Sequence, residues 1–227
     1  MKLYEYFKEY GITINDSSLI YQAFIHTSYI NENKHLDLAD NERLELLGDA
    51  VLQLWTADFL YRQEPKISEG DMTLLRAQLV NEKVLAEFSR KMNLGQFLKL
   101  GVGEEKNGGY QRNSILADTF EAVIGALYLD QGFEAISKIC EIVIKEKFET
   151  IDKENLMDFK TKLQEFVQSD SRKTVQYHII STSGPANQPV FEAIVKLDEL
   201  ILGKGKGTSK KRAEQQAAKD ALNKLVK

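Results

Sequence analysis

A single cysteine and three histidines in 227 residues remove several kinds of chemistry at the outset. One thiol excludes an intramolecular disulfide and any cysteine-cluster zinc site. Its neighbours Ile136, Ile139 and Val143 mark Cys140 as a core thiol. His26, His35 and His178 lie in three separate contexts, which argues against a histidine pair acting as general acid and base. His26 follows an apolar helical face and reads as a core or capping residue, and His35, in the polar stretch NENKHLDLAD, reads as solvated. No apolar run approaches membrane length, and the charged start MKLYEYFKEYG has no apolar signal core. A cytoplasmic chain with no membrane partner is expected. The stretch LGVGEEKNGGYQRN, 100–113, lacks phosphate-loop spacing, so no nucleotide cofactor is expected, and its composition predicts a mobile surface loop.

Charge is unevenly distributed. Residues 1–152 carry 16 basic against 25 acidic side chains, a balance of −9, and residues 153–227 carry 14 against 9, a balance of +5. An acidic first part and a basic tail suggest two domains with different tasks, the tail being the one suited to a polyanion. Texture changes at the same place. Helical periodicity runs to about residue 148, and strand-like runs appear only beyond residue 174. The expected boundaries are a helical domain over 1–150, a charged linker over 151–156 and a small α+β domain over 157–227.

The stretch NERLELLGDAVLQLW, 41–55, organises the first domain. Leu44, Leu47, Val51 and Leu54 recur at helical spacing, and Asp40 or Asn41 can cap the start. Glu42, Glu45 and Asp49 fall within about 60° of one another on a different face. Like charges on one strip repel, so a cation or a water-filled cleft is needed to offset them. The helix dipole accounts for Glu42 and in part for Glu45. It does not account for Asp49, mid-helix, where aspartate is a poor helix former. Upstream, residues 2–30 read as two short helices. Downstream, Ser68 and Asp71 have capping-box spacing, and Glu69 also suits a helix start. Helices are expected near 71–80 and 82–92, with Leu74, Leu75, Leu79, Val84, Leu85 and Phe88 in the core.

A second long helix is expected over 113–133, capped by Asn113 or Ser114, and another over 132–148. In the first of these, Asp118 and Glu121 stand at i and i+3 inside the apolar run of Ile115, Leu116, Phe120, Val123, Ile124 and Leu127. Two core-like helices with embedded carboxylates are most simply explained if those faces meet around a hard divalent cation, Mg²⁺ or Mn²⁺ by ligand type. The alternative is two solvated acidic faces.

The tail reads as α-β-β-β-α. A helix at 158–168 precedes strands at 175–182, 189–197 and 199–207, and a terminal helix at 208–226 turns Ala213, Ala217, Ala221, Leu222 and Leu225 inward. Lys204, Lys206, Lys210, Lys211 and Arg212 gather at the loop and first turn of that last helix. Cations there oppose the dipole, which a phosphate ligand would explain better than a solvated basic face.

These motifs resemble bacterial ribonuclease III essentially end to end. NERLELLGDAVL is similar to the signature helix of that family, SEGDMTLLRAQLV to the stretch that follows it, and ILADTFEAVIGALYLD to its second acidic segment. TKLQEF, GPANQPVFEA and KGKGTSKKRAEQQAA resemble a double-stranded-RNA-binding domain. The resemblance implies an all-α endonuclease domain followed by that α+β domain. It implies cleavage of double-stranded RNA to 5′-phosphate and 3′-hydroxyl ends with short 3′ overhangs, in processing of ribosomal-RNA precursors and structured messenger or small RNA.

By the same resemblance Glu45, Asp118 and Glu121 are metal ligands for Mg²⁺, with Mn²⁺ as a substitute. Asp49 and Glu121 are the catalytic carboxylates, and Glu42 and Glu69 support a valley formed by a homodimer. Leu46 stands where the family usually has Phe, which is expected to loosen one dimer contact. Thr161, Gln164 and Glu165 match the minor-groove helix, and Lys206, Lys210 and Lys211 match the phosphate clamp. Asn187 replaces the usual His after GPA, which is expected to alter rather than abolish a 2′-hydroxyl contact. Two other readings compete. One is an inactive RNA-binding scaffold, although every matched acidic position is filled. The other is a nuclease acting on DNA, although the tail carries the minor-groove and phosphate-clamp residues.

Overall fold

The computed structural model describes residues 3–151, 158–170, 173–185 and 187–225. Apart from Ile151, the expected linker 151–156 lies outside the described residues. The chain divides into two compact units, Met1–Ile151 and Asp152–Lys227.

The first unit is helical. It contains α1 (Leu3–Lys8), α2 (Ser17–Gln22), α3 (Thr27–Glu32), α4 (Glu42–Tyr61), α5 (Glu69–Leu79), α6 (Glu82–Lys91), α7 (Val102–Lys106), α8 (Asn113–Gln131), α9 (Phe133–Cys140) and α10 (Glu146–Thr150). A π-helical segment, Glu141–Lys145, joins α9 to α10, so the helix expected over 132–148 is continuous but wider in its middle. Helix α8 is the hub. Its side chains from Ile115 to Leu127 are buried with the exceptions of Asp118 and Glu121, which are part-exposed. Helices α4 and α6 pack along it. Each large apolar side chain fully buried there, Phe120 for example, stabilises the fold by roughly 1.5–3 kcal/mol.

Side-chain caps explain the starts of α2, α3, α5 and α6. His26 caps α3, accepting from the Ser28 amide at 3.2 Å. Ser68 caps α5 through the Asp71 amide at 3.3 Å, and its hydroxyl donates to the buried Asp71 carboxylate at 2.7 Å. Asn41 occupies the cap position of α4 but makes no side-chain cap bond, and its amide donates instead to the Ala23 carbonyl at 3.2 Å.

Several expectations are corrected. Where two short helices are expected there are three, Leu3–Lys8, Ser17–Gln22 and Thr27–Glu32, the third starting at the His26 cap. Leu74, expected in the core, is 44% exposed, and Leu54, one of the apolar residues at helical spacing in 41–55, is 60% exposed, because α4 and α5 each keep one apolar edge outside the unit's own core. The stretch 100–113 contains α7 and a 3-10 turn, Gly109–Gln111. It is tied down where the Glu32 carboxylate accepts from the Val102 and Gly103 amides at 2.7 and 3.1 Å. Asn113 is helical rather than a cap. Its side-chain oxygen accepts from the Arg90 guanidinium at 2.6 Å, and Arg112 takes the cap position.

The second unit contains α11 (Phe159–Asp170), β1 (Gln176–Ser183), β2 (Val190–Leu197), β3 (Leu200–Gly207) and α12 (Lys210–Leu225). The antiparallel sheet has order β1-β2-β3, with Tyr177 opposite Val195 and Val195 opposite Gly203. Period-2 alternation turns Phe191, Ala193, Val195 and Leu197 toward the helices. Gly203 and Gly205 let α12 lie directly on β3, since a Cβ at either would come within 2.3 Å of α12 backbone at Ala217. Ala213, Ala217, Ala218 and Ala221 are fully buried against that surface, whereas Leu225, expected inward, is 39% exposed at the fraying helix end.

Candidate active site and nucleic-acid interface

The acidic side chains of two helices converge. Glu45 on α4 and Asp118 and Glu121 on α8 each offer a carboxylate oxygen, and these oxygens lie within 4.8 Å of one another. The sequence separates the two segments by some seventy residues. The packing of α4 on α8 closes that gap.

Electrostatics at the cluster are unfavourable in the absence of a counter-charge. Burial, followed by the charges of Asp49, Glu45 and Asp118, pushes the Glu121 carboxyl up to about 8. Burial, with Glu45 and Glu82 alongside, pushes Asp118 to about 6. Glu45 is raised by burial and by Asp49 and Glu42. Among the described residues no hydrogen bond holds these three carboxyls. Carboxylate oxygens brought together, partly dehydrated and left without donors form a donor set suited to a hard divalent cation.

The remaining acidic candidates divide. Asp49 lies close enough to raise both Glu45 and Glu121, and it accepts from the Gln53 side-chain amide at 3.1 Å, one turn along the same helix. Glu42 is exposed at the start of α4 and acts on Glu45 by charge. Glu69, in the first turn of α5, is exposed and accepts from the Thr73 hydroxyl at 3.3 Å; it is not one of the three clustered carboxylates. Sequence reading missed Glu82, whose charge reaches Asp118 from the first turn of α6. A first-turn glutamate after the Asn81 cap has an ordinary dipole explanation, which hides its effect on Asp118.

The basic candidates lie in the second unit. Ser209 caps α12, accepting from the Arg212 amide at 3.2 Å. Lys210 and Lys211 follow it, exposed and without an ion pair among the described residues. Lys206 is instead paired with Glu192, its neighbour across β2 and β3. On α11, the Thr161 hydroxyl donates to Asp158 at 2.8 Å, and Glu165 is exposed. The Gln164 side-chain amide is occupied within the fold, accepting from the Val175 amide at 3.1 Å and donating to the Lys173 carbonyl at 3.2 Å. Asn187 is exposed in the turn between β1 and β2. No helix among the described residues is long and apolar enough to cross a membrane.

Comparison with known proteins agrees with both halves of this layout. Residues 16–148 match a family model described as ribonuclease-III-like, and residues 159–225 match the double-stranded RNA binding motif. The chain is 49% identical over 218 residues to ribonuclease 3 of Streptococcus gordonii, covering 96% of this chain and 94% of that one. It is 47% identical over 227 residues to ribonuclease 3 of Bacillus licheniformis, covering 98% and 91%. The nuclease domain of ribonuclease III from Campylobacter jejuni superimposes with a TM-score of 0.58 at 38% identity, covering 65% of this chain and 99% of that domain. That structure is reported for flexibility in a region involved in dimer formation. This chain therefore belongs to the ribonuclease III family, an endoribonuclease whose helical nuclease domain is followed by a domain that binds double-stranded RNA.

Proposed function

We propose that the chain is a Mg²⁺-dependent endonuclease of double-stranded RNA, leaving 5′-phosphate and 3′-hydroxyl ends with short 3′ overhangs. The observation that carries this reading is the convergence of Glu45, Asp118 and Glu121 within 4.8 Å. These residues would hold the metal, with Mn²⁺ an acceptable substitute by ligand type. Bound there, the ion supplies Lewis acidity and a water of lowered pKa. Asp49, beside Glu45 and Glu121, would orient the attacking water or take its proton, and Glu42 and Glu69 would add negative charge around the cleft. The domain limits follow the sequence expectation: catalysis in 1–150, a linker at 151–156 and RNA binding in 157–227.

In the RNA-binding domain, Lys210 and Lys211 are assigned to phosphates. Thr161, Glu165 and Asn187 face the minor groove, with Gln164 divided between that groove and the start of β1. Shape, 2′-hydroxyls and phosphates are what duplex RNA offers, since its major groove is too narrow to be read. A homodimer would supply one site per strand. Leu46 (72% exposed), Leu54 and Tyr61 support it, because they share one edge of α4 and would otherwise leave apolar surface in water. Processing of ribosomal-RNA precursors and structured messenger RNA in the cytoplasm is the setting this reading implies.

The test is cleavage of a long, end-labelled RNA duplex with Mg²⁺, beside an EDTA control and a DNA duplex, with the mass of the protein measured in the same buffer. Staggered metal-dependent cuts in both RNA strands by a dimer, with DNA intact, is the expected result. Binding without cutting in Mg²⁺ or Mn²⁺ would overturn the enzymatic assignment, and cutting of DNA the substrate assignment.

A further inference from the structure

The two helices that carry the carboxylates cross at two glycines. A Cβ at Gly48 would lie 1.8 Å from the Glu121 carbonyl oxygen, 2.5 Å from its carbonyl carbon and 3.0 Å from the Gly125 amide nitrogen. A Cβ at Gly125 would lie 2.2 Å from the Leu44 carbonyl oxygen and 3.2 Å from the Gly48 amide nitrogen. Every obstructing atom is backbone. No rotamer change makes room, so an added methyl must move one helix relative to the other.

We propose that Gly48 and Gly125 are positioning residues for the metal site, setting the distance between its two halves; this inference rests on the metal-site reading above. The geometry is direct. Glu45 and Asp49 flank Gly48 on α4, and Glu121 and Asp118 stand about one and two turns before Gly125 on α8. Ligands on opposite sides of a helix crossing are separated by whatever the crossing allows. Hydrogen bonds could in principle fix the carboxylates independently, but among the described residues none reaches Glu45, Asp118 or Glu121. Their mutual repulsion acts to separate the helices. The backbone-to-backbone seam is what keeps them close.

A glycine here also works against helix propensity, so the substitution has a distinctive sign. Alanine is the better helix former, and an effect of Gly48→Ala through the isolated helix would be stabilising. Through the seam it widens the site. Mg²⁺ requires near-ideal octahedral geometry at about 2.0–2.1 Å, whereas Ca²⁺ accepts irregular coordination at about 2.3–2.6 Å. A widened site therefore loses Mg²⁺ more than Ca²⁺. A merely structural role would not alter that ratio.

The experiment measures Mg²⁺ and Ca²⁺ binding to the full-length protein by calorimetry without RNA. Wild type, Gly48→Ala and Gly125→Ala are compared, with far-UV circular dichroism and duplex-RNA binding as folding controls. Gly95→Ala is the reference, because a Cβ there meets only ordinary contacts, 3.5 Å from Leu116 and 3.8 Å from Tyr110. The expected result is roughly tenfold or greater loss of Mg²⁺ affinity in either seam variant, in the range seen when groups supporting metal ligands are removed. A smaller loss for Ca²⁺ and an unchanged Gly95→Ala complete it. Unchanged Mg²⁺ binding in both folded seam variants would overturn the proposal, as would equal losses for both ions. If neither variant folds, the seam is a folding element only and the proposal is likewise overturned. Wild-type protein that binds neither ion would instead refute the metal-site reading itself, a result distinguishable from the others.

Discussion

In the nuclease unit the candidate groups are carboxylates drawn partly out of water between two helices, whereas in the RNA-binding unit they are lysines left in solvent. Both units use glycine to bring backbone against backbone, at Gly48 and Gly125 in the first and at Gly203 and Gly205 in the second. The consequences differ. In the first, close approach concentrates like charge and raises the carboxyl pKa values, which stores a demand for a cation. In the second, it seats α12 on the sheet and leaves Lys210 and Lys211 projecting from its first turn. Chemistry gains from partial dehydration, because charge is stabilised more strongly there than in water. Affinity for a polyanion gains from exposed cations that release counterions. The two units should therefore respond to different variables, pH and metal in one, salt in the other.

The largest expected separation comes from Glu121→Gln. The substitution keeps the shape and removes the charge of a proposed metal ligand. Cleavage should fall by roughly a thousandfold or more, since several kcal/mol of transition-state stabilisation depend on the metal and each 1.36 kcal/mol is about tenfold. Duplex binding, measured by gel shift in Ca²⁺ or EDTA, should stay within about twofold of wild type, because the lysines proposed to hold phosphates are untouched. Full activity in the variant would remove Glu121 from the site. Lost binding would mean that the two units are not separable in function.

A second separation uses pH. The folded-state pKa of Glu121, about 8, lies above the ordinary 4.5, so between these values the folded protein holds a proton that the unfolded chain has lost. Stability of the metal-free protein therefore falls as pH rises through that window. Asp118, raised to about 6, contributes the same sign over the lower part. His26, lowered by burial, contributes the opposite sign but only below its ordinary 6.5. Asp16, Glu32 and Asp58, held low by hydrogen bonds, have finished titrating before the window opens. From about pH 7 to about pH 8, then, the melting temperature in EDTA should fall, and saturating Mg²⁺ should raise it most at the upper end. A melting temperature that rises with pH in EDTA would contradict the burial of Glu121.

How far the sequence discloses this arrangement depends on whether a signal is local. Helix spacing in NERLELLGDAVLQLW and ILADTFEAVIGALYLD is local, and both helices lie where the periodicity puts them. The Ser68 cap, the three strands and the buried Cys140 are legible for the same reason. Exposure of Leu54 and Leu74 was not. Helical spacing identifies an apolar residue but not whether its partner is the unit's own core. The role of Lys206 was also hidden, because pairing with Glu192 depends on strand register rather than on the KGKG run. The glycine seam is the clearest case. Gly48 and Gly125 are ordinary residues in the sequence, and only the crossing of α4 on α8 gives them a shared position.

The smallest and most discriminating effect separates Lys206 from Lys210. Both match the phosphate clamp by sequence, yet their surroundings differ. Lys206 is engaged with Glu192, whose carboxyl is correspondingly held below its usual range, first by the hydrogen bond from Lys206 and then by its charge. To contact a phosphate, Lys206 must give up that pair or share its charge with it. Lys210 is exposed with no such partner among the described residues. Each lysine that neutralises a phosphate adds about 0.9 to the slope of log affinity against log salt. Lys210→Ala should therefore lower the slope by about one and weaken binding alike on unrelated duplexes. Lys206→Ala should lower it by visibly less, while leaving Glu192 free to repel the backbone. Lys206→Ala combined with Glu192→Gln should then recover affinity relative to Lys206→Ala alone. Filter binding over a salt series separates these outcomes. Equal slopes for the two single variants would mean that RNA dissolves the Lys206–Glu192 pair, and that sequence position rather than surrounding charge determines what each lysine contributes.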